Sequence, residues 1–243
     1  MRVGIFGDSF AAKHYLATGS PWHEMLNEQF NLDVTSYGEN GSSLEYSYRK
    51  FIEMHQQYDK IVFVITGPGR ITLPLPEEYK NACHGQLQHI TGVASFKATV
   101  DRLFSNVRLL KNTVLAVEGY YNYILDFNKD KLFHRLLIKE IKSVRPDALL
   151  IPCLYLSGEE NWSHSHTLNH VSDVDVNNYG LIQEKAMWAD KRHCHMSQEN
   201  NRIFASMVAE WINTNSFNFD TDKFVKSDQP VETYFQMDVY NSK

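Results

Sequence analysis

Short, continuous apolar runs that stop at glycine most restrict what this chain can fold into. Val3–Phe6 stops at Gly7, and Lys60–Thr66, the β-branched KIVFVIT, stops at Gly67-Pro68-Gly69. Runs without polar alternation read as strands buried on both faces, the pattern of a parallel sheet. Stretches with helical spacing lie between them. Trp22, Met25, Leu26 and Phe30 share one helical face, and Leu44, Tyr48, Phe51, Ile52 and His55 share another within Leu44–Tyr58. Leu32–Tyr37, Val114–Glu118 and Asp147–Cys153 read as further strands. Helices are expected over Phe96–Lys111, over Lys129–Ser143 before Pro146, and over Ser197–Trp211, with Ser197 able to cap the last. Strands alternating with helices imply an α/β protein whose mostly parallel sheet is covered on both faces.

The chain has 243 residues, 43% of them hydrophobic, which suffices for a core without disulfide staples. With 24 Lys+Arg against 29 Asp+Glu, the formal net charge is −5, and a nucleic-acid partner is not expected. No apolar run approaches the ~20 residues of a membrane span, so no membrane partner is expected either. The N-terminal MRVGIFGDSF is too short and too early for a secretory h-region, and reads as a strand that starts with the chain. Cys83, Cys153 and Cys194 are odd in number and far apart, which fits a reducing compartment. The expectation is therefore a cytoplasmic protein. One domain is expected over residues 1–212, with irregular excursions at about 68–95 and 155–190, then a polar extension over 213–243.

Ligands of open α/β sheets sit beyond the carboxyl ends of the strands. There the sequence places Gly7-Asp8-Ser9-Phe10, then Gly38-Glu39-Asn40-Gly41-Ser42, then Gly67-Pro68-Gly69-Arg70. Near the end stands Asp190-Lys191-Arg192-His193-Cys194-His195-Met196-Ser197. A serine on the turn leaving the first strand, a glycine whose N–H can approach a ligand, and a late histidine are the parts of a nucleophilic hydrolase. The hydroxyl needs a base to take its proton, and the oxyanion that forms needs preorganised donors. Each residue also has a plainer reading. Asp8 can bond backbone N–H groups of the turn, and Ser9 alone could be a helix N-cap. Gly38 and Gly41 can serve tight turns, Arg70 can be a salt-bridged loop residue, and Cys194 a small buried hydrophobe.

These blocks resemble the SGNH/GDSL hydrolase family. Gly7-Asp8-Ser9-Phe10, Gly38 to Gly41, and His195-Met196-Ser197 leading into a helix carry the resemblance, and Pro21–Asn27 is similar to that family's first helix. The resemblance implies a three-layer α/β/α, flavodoxin-like fold with a five-stranded parallel sheet. It implies a serine esterase for small acyl or acetyl esters, with carbohydrate esters among the candidate substrates, and no metal or other cofactor. Ser9 would be the nucleophile, the N–H groups of Ser9 and Gly41 the oxyanion donors, and His195 the general base. Two departures stand out. The family's third block carries an Asn donor, whereas this chain reads Thr66-Gly67-Pro68-Gly69-Arg70. Arg70 and Asn40 are candidate replacement donors, and Asp8 and Arg70 are candidates to face the substrate. The family's Asp-x-x-His spacing fits Asp190 and His193, whereas the frame before the helix fits His195. Asp190 is the candidate orienting acid, and His193 stays open as the alternative base.

Two other classes compete with an enzyme of this kind. One is a catalytically impaired descendant that binds a glycan or a protein, since fold does not guarantee function. The other is a metal site drawn from His164, His166, His170, Asp173, Asp175 and the His193-Cys194-His195 triplet. Those residues have the right donor types but not the spacing of a specific metal motif.

Overall fold

The structure is a computed structural model that describes residues 1–12, 20–39, 41–67, 69–72, 89–90, 108–152, 198–220 and 223–224. In chain order the elements are β1 (Arg2–Phe6), α1 (Trp22–Phe30), β2 (Asp33–Ser36), α2 (Leu44–Met54) and β3 (Lys60–Ile65). Then come the short strands β4 (Ile71–Thr72) and β5 (His89–Ile90), the helices α3 (Arg108–Gly119) and α4 (Phe127–Val144), β6 (Leu149–Pro152) and α5 (Gln198–Thr214). Strands β2-β1-β3-β6, in that order, form a parallel sheet, and β4 and β5 form a separate antiparallel pair. The class is α/β, consistent with the expected three layers.

Four of the five expected sheet strands form. The exception is Val114–Glu118, which lies inside α3. A short apolar run cannot be assigned to strand or helix by its periodicity alone. Here it continues a helix begun at Arg108, burying Val117 and leaving Leu115 exposed. The fifth strand counted from the sequence is therefore a helical segment. The expected irregular excursion at about 68–95 holds the β4–β5 pair, and the expected helix over Phe96–Lys111 lies outside the described residues up to position 107. The remaining differences among the described residues concern element ends. Leu44–Tyr58 is α-helical only to Met54 and closes with a 3-10 turn at His55–Gln57, and the last helix extends to Thr214. The cysteines and the His-rich segment lie outside the described residues, apart from their neighbours in β6. Among the described residues no helix is long and apolar enough to cross a membrane.

Contacts divide the chain into two units. One comprises Gly4–Ala12 and Ser36–Leu150. Its centre is β3, where Ile61 to Ile65 are all fully buried, as a strand covered on both faces requires. Phe6 stacks on Tyr37 with ring centroids 5.1 Å apart and meets Phe51 edge-on at 5.6 Å. Helices α2 and α4 pack together in this unit. Asp126 caps α4 by accepting from Asn128 N and Lys129 N. Beyond the helix, Arg145 donates to the carbonyls of His55, Tyr58 and Asp59 and pairs through two nitrogens with Asp147. That pairing holds the Asp147 carboxyl below its ordinary pKa.

The other unit comprises Met1–Val3, Lys13–Thr35 and Ile151–Lys243. Here α1 packs on α5, with the rings of Trp22 and Phe204 edge to face at 5.0 Å. Pro21 precedes α1 and offers no side-chain cap, so the first helical N–H needs an acceptor from elsewhere. Asn201 on α5 supplies it, its Oδ1 accepting from Trp22 N at 3.0 Å. After α5, Phe217 and Phe219 gather on Phe204. The start of the expected polar extension is thus tied down by aromatic packing.

Candidate active site

The turn that leaves β1 is built around one carboxylate. Asp8 is completely buried. Its Oδ1 accepts from Phe10 N at 3.1 Å, the local two-residue bond that aspartate readily makes in turns. Its Oδ2 accepts from Arg70 Nη1 at 2.9 Å. Arg70 follows β3 and its side chain is only 16% exposed. Asp8 therefore ties the end of the first strand to the loop after the third. The turn continues with Ala11 N donating to Asp8 O and Ala12 N donating to Ser9 O.

Ser9 is half-buried on this turn. The N–H groups of Phe10, Ala11 and Ala12 each have an acceptor in the turn. The Ser9 N–H and the Ser9 Oγ have none among the described residues. An N-cap serine would accept from a backbone N–H two or three residues on, so the cap reading of Ser9 fails.

The second loop is fastened to the first at two points. Glu39 N and Ser42 Oγ both donate to the carbonyl of Gly7, at 3.2 and 3.1 Å. Tyr46 on α2 donates its hydroxyl to Glu39, and Ser43 caps α2 by accepting from Tyr46 N. Burial, together with the Glu39 carboxylate, drives the Tyr46 pKa upward, so this donor stays protonated. Gly41 sits in this braced loop at φ 71°, where a Cβ would be strained. Its N–H also lacks an acceptor among the described residues.

Gly38 serves the site in another way. It pairs with Ala12 as an isolated parallel bridge, and a Cβ on it would lie 2.2 Å from the Ala11 carbonyl carbon. The hydroxyl of Ser36 donates to Ala11 O and accepts from Gly38 N. Only glycine lets the Ser9 turn lie so close against the second strand. Gly38→Ala is expected to destabilise by about 2–3 kcal/mol, as an overpacked contact with rigid backbone does. Urea unfolding measures this, and a change below about 0.5 kcal/mol would show that the two segments can separate freely.

The third loop is clamped from one side of its unit. Gly69 donates its N–H to Asp130 on α4, and its carbonyl accepts from the Tyr121 hydroxyl at 2.6 Å. Tyr121 belongs to the π-helical turn Tyr120–Ile124. Burial raises its pKa to about 12, helped by the charges of Tyr120 and Asp130 and opposed by Arg70. One turn beyond Asp130, His134 is buried, and burial lowers its pKa against the pull of the Asp130 charge.

Of the residues singled out in the sequence, Asp8, Ser9, Gly38, Gly41 and Arg70 fall within one unit at the ends of β1, β2 and β3. Asn40, Asp190, His193 and His195 lie outside the described residues, as do His164, His166, His170, Asp173 and Asp175. Among the described residues no group of three or more His, Cys, Asp or Glu could hold a metal. The Tyr121–Asp130 clamp on Gly69 was not foreseen, because no local motif marks partners 52 and 61 residues away.

No family model matches the sequence, and no curated protein matches it. Solved structures give distant likenesses. One is a protein named for the lipolytic G-D-S-L family from Desulfitobacterium hafniense DCB-2, at 14% identity and TM-score 0.34, covering 86% of this chain and 98% of that one. A protein from Lactobacillus plantarum is similar at 12% identity and TM-score 0.39, covering 89% and 98%. A lipolytic G-D-S-L family member from Veillonella parvula DSM 2008 is similar at 14% identity and TM-score 0.24, covering 62% and 76%. Likeness this distant says nothing of what the chain does.

Proposed function

We propose that the chain is a serine esterase that hydrolyses a small acyl or acetyl ester. One observation carries this reading. In a turn where the N–H groups of Phe10, Ala11 and Ala12 each have an acceptor, Ser9 keeps its hydroxyl and its N–H without partners among the described residues. Ser9 is half-buried and therefore reachable, and a braced turn that leaves these two groups without partners among the described residues is suited to a ligand.

In this reading Ser9 Oγ attacks the ester carbonyl carbon. The imidazole of His195, oriented by Asp190, takes the hydroxyl proton. The carbonyl oxygen becomes an oxyanion, and the N–H groups of Ser9 and Gly41 donate to it. The intermediate collapses, the C–O bond to the alcohol breaks, and the imidazolium returns its proton to the leaving alkoxide. Water, deprotonated by the same base, then cleaves the acyl-serine and restores Ser9. Donors already held by the fold need no reorganisation when charge develops, which is why the bracing of both loops matters.

The identity of the base is tested by comparing His193→Ala with His195→Ala on a short-chain aryl ester. The expected result is a loss of about 10⁴-fold or more in kcat for His195→Ala alone. A dead His193→Ala beside an active His195→Ala would move the base to position 193. Full activity in both would remove the histidine-assisted mechanism.

A further inference from the structure

Among the described residues the guanidinium of Arg70 makes a single hydrogen-bonded pairing. Nη1 donates to Asp8 Oδ2, and no other acceptor for this side chain appears among the described residues. The group is nonetheless mostly shielded from water, at 16% exposure. A planar, delocalised cation held this way presents its remaining N–H groups as fixed donors. Its charge is balanced by the fully buried carboxylate of Asp8, the residue before Ser9 in the chain. The pair therefore has little net charge with which to select an anion, but strong directional donors for a single oxygen.

The backbone under Arg70 is held as firmly as the side chain. Asp130 accepts from Gly69 N, and Tyr121 donates to Gly69 O, so both polar groups of the preceding residue are fixed from α4 and the π-helical turn. Gly69 has φ 84°, a conformation that needs such fixing to place the next residue reproducibly. A surface arginine serving only to neutralise Asp8 would not require a clamp on its backbone.

We propose that Arg70 donates to the carbonyl oxygen of the substrate as it becomes negatively charged, and that Tyr121 and Asp130 are positioning residues acting through the Gly69 peptide. This rests on the esterase reading of Ser9. It implies neutral esters as the substrate class, with Arg70 serving the reacting oxygen and not an anionic group elsewhere on the substrate.

The test is steady-state kinetics of the full chain on a neutral aryl acetate and on an aryl ester with a carboxylate on its acyl chain. Arg70→Gln and Arg70→Lys are each expected to lower kcat about 10²–10³-fold on both esters with KM little changed, the signature of a lost oxyanion donor. Lysine keeps a cation for Asp8, so Arg70→Lys serves if the glutamine variant does not fold. Tyr121→Phe and Asp130→Asn are expected to lower kcat by about tenfold each, and to add nothing in the Arg70→Gln background, since coupled residues are not additive. A purely structural role would lower stability without that coupling. Unchanged kcat in both Arg70 variants, in a protein that does hydrolyse the neutral ester, would overturn this inference and leave the esterase reading standing. A loss confined to KM for the anionic ester would overturn it in favour of a substrate carboxylate. A wild-type chain that hydrolyses neither ester would overturn both.

Discussion

Ser9→Ala is expected to abolish ester hydrolysis, with kcat falling on the order of 10⁶-fold, the scale seen when a serine nucleophile is removed. The N–H donors would survive the substitution, so what remains should be the weak catalysis that donors and binding give alone. The folded state should hardly notice. Ser9 Oγ has no hydrogen-bond partner among the described residues, so removing it breaks no bond among them. Stability should stay within about 0.5 kcal/mol of the parent. The two measurements together separate the roles. A helix-capping serine would give the opposite pattern, with about 1 kcal/mol of stability lost and turnover intact. Aryl-ester turnover and urea unfolding of the same preparation decide between them.

Asp8→Ala has the largest expected effect on stability. The carboxylate is fully buried and holds both Phe10 N and Arg70. Its removal leaves a mostly buried guanidinium without its counter-charge and a buried N–H without its acceptor. Breaking one side of such a pair costs about 3–5 kcal/mol, a large part of the 5–15 kcal/mol typical of a folded domain. Asp8→Asn can still accept from Phe10 N and should cost less. Adding Arg70→Ala to Asp8→Ala should restore part of the loss, because the stranded charge is then gone. Urea unfolding of the four proteins closes a double-mutant cycle. Simple additivity would show that the pair is a solvated surface bridge, worth about 0–1 kcal/mol.

The elements legible in the sequence were those whose signal is local. KIVFVIT read as a buried strand from its β-branched residues and the Gly67-Pro68-Gly69 that closes it, and Trp22 to Phe30 carries its stripe within nine residues. The turn role of Asp8 was legible for the same reason, since its bond to Phe10 N spans two residues. Val114–Glu118 failed because five apolar-rich residues fit either period, and the helix running in from Arg108 decided the matter. What fixes the site is mostly non-local. Arg70 reaches Asp8 across 62 positions, and Gly69 reaches Asp130 across 61. Neither pairing leaves a periodic trace. Gly38 showed only as a glycine after a strand, and its reason, the backbone of Ala11 pressed against it, became visible in three dimensions.

In the proposed mechanism Ser9 is a nucleophile held ready by its turn. A fluorophosphonate probe tests it most directly, because such reagents form a covalent bond with a serine that a neighbouring base and oxyanion donors activate. Mass mapping of the labelled protein should find one adduct, on the peptide that contains Ser9, and Ser9→Ala should abolish it. Folded protein that takes up no label, or an adduct elsewhere that persists in Ser9→Ala, would contradict the account.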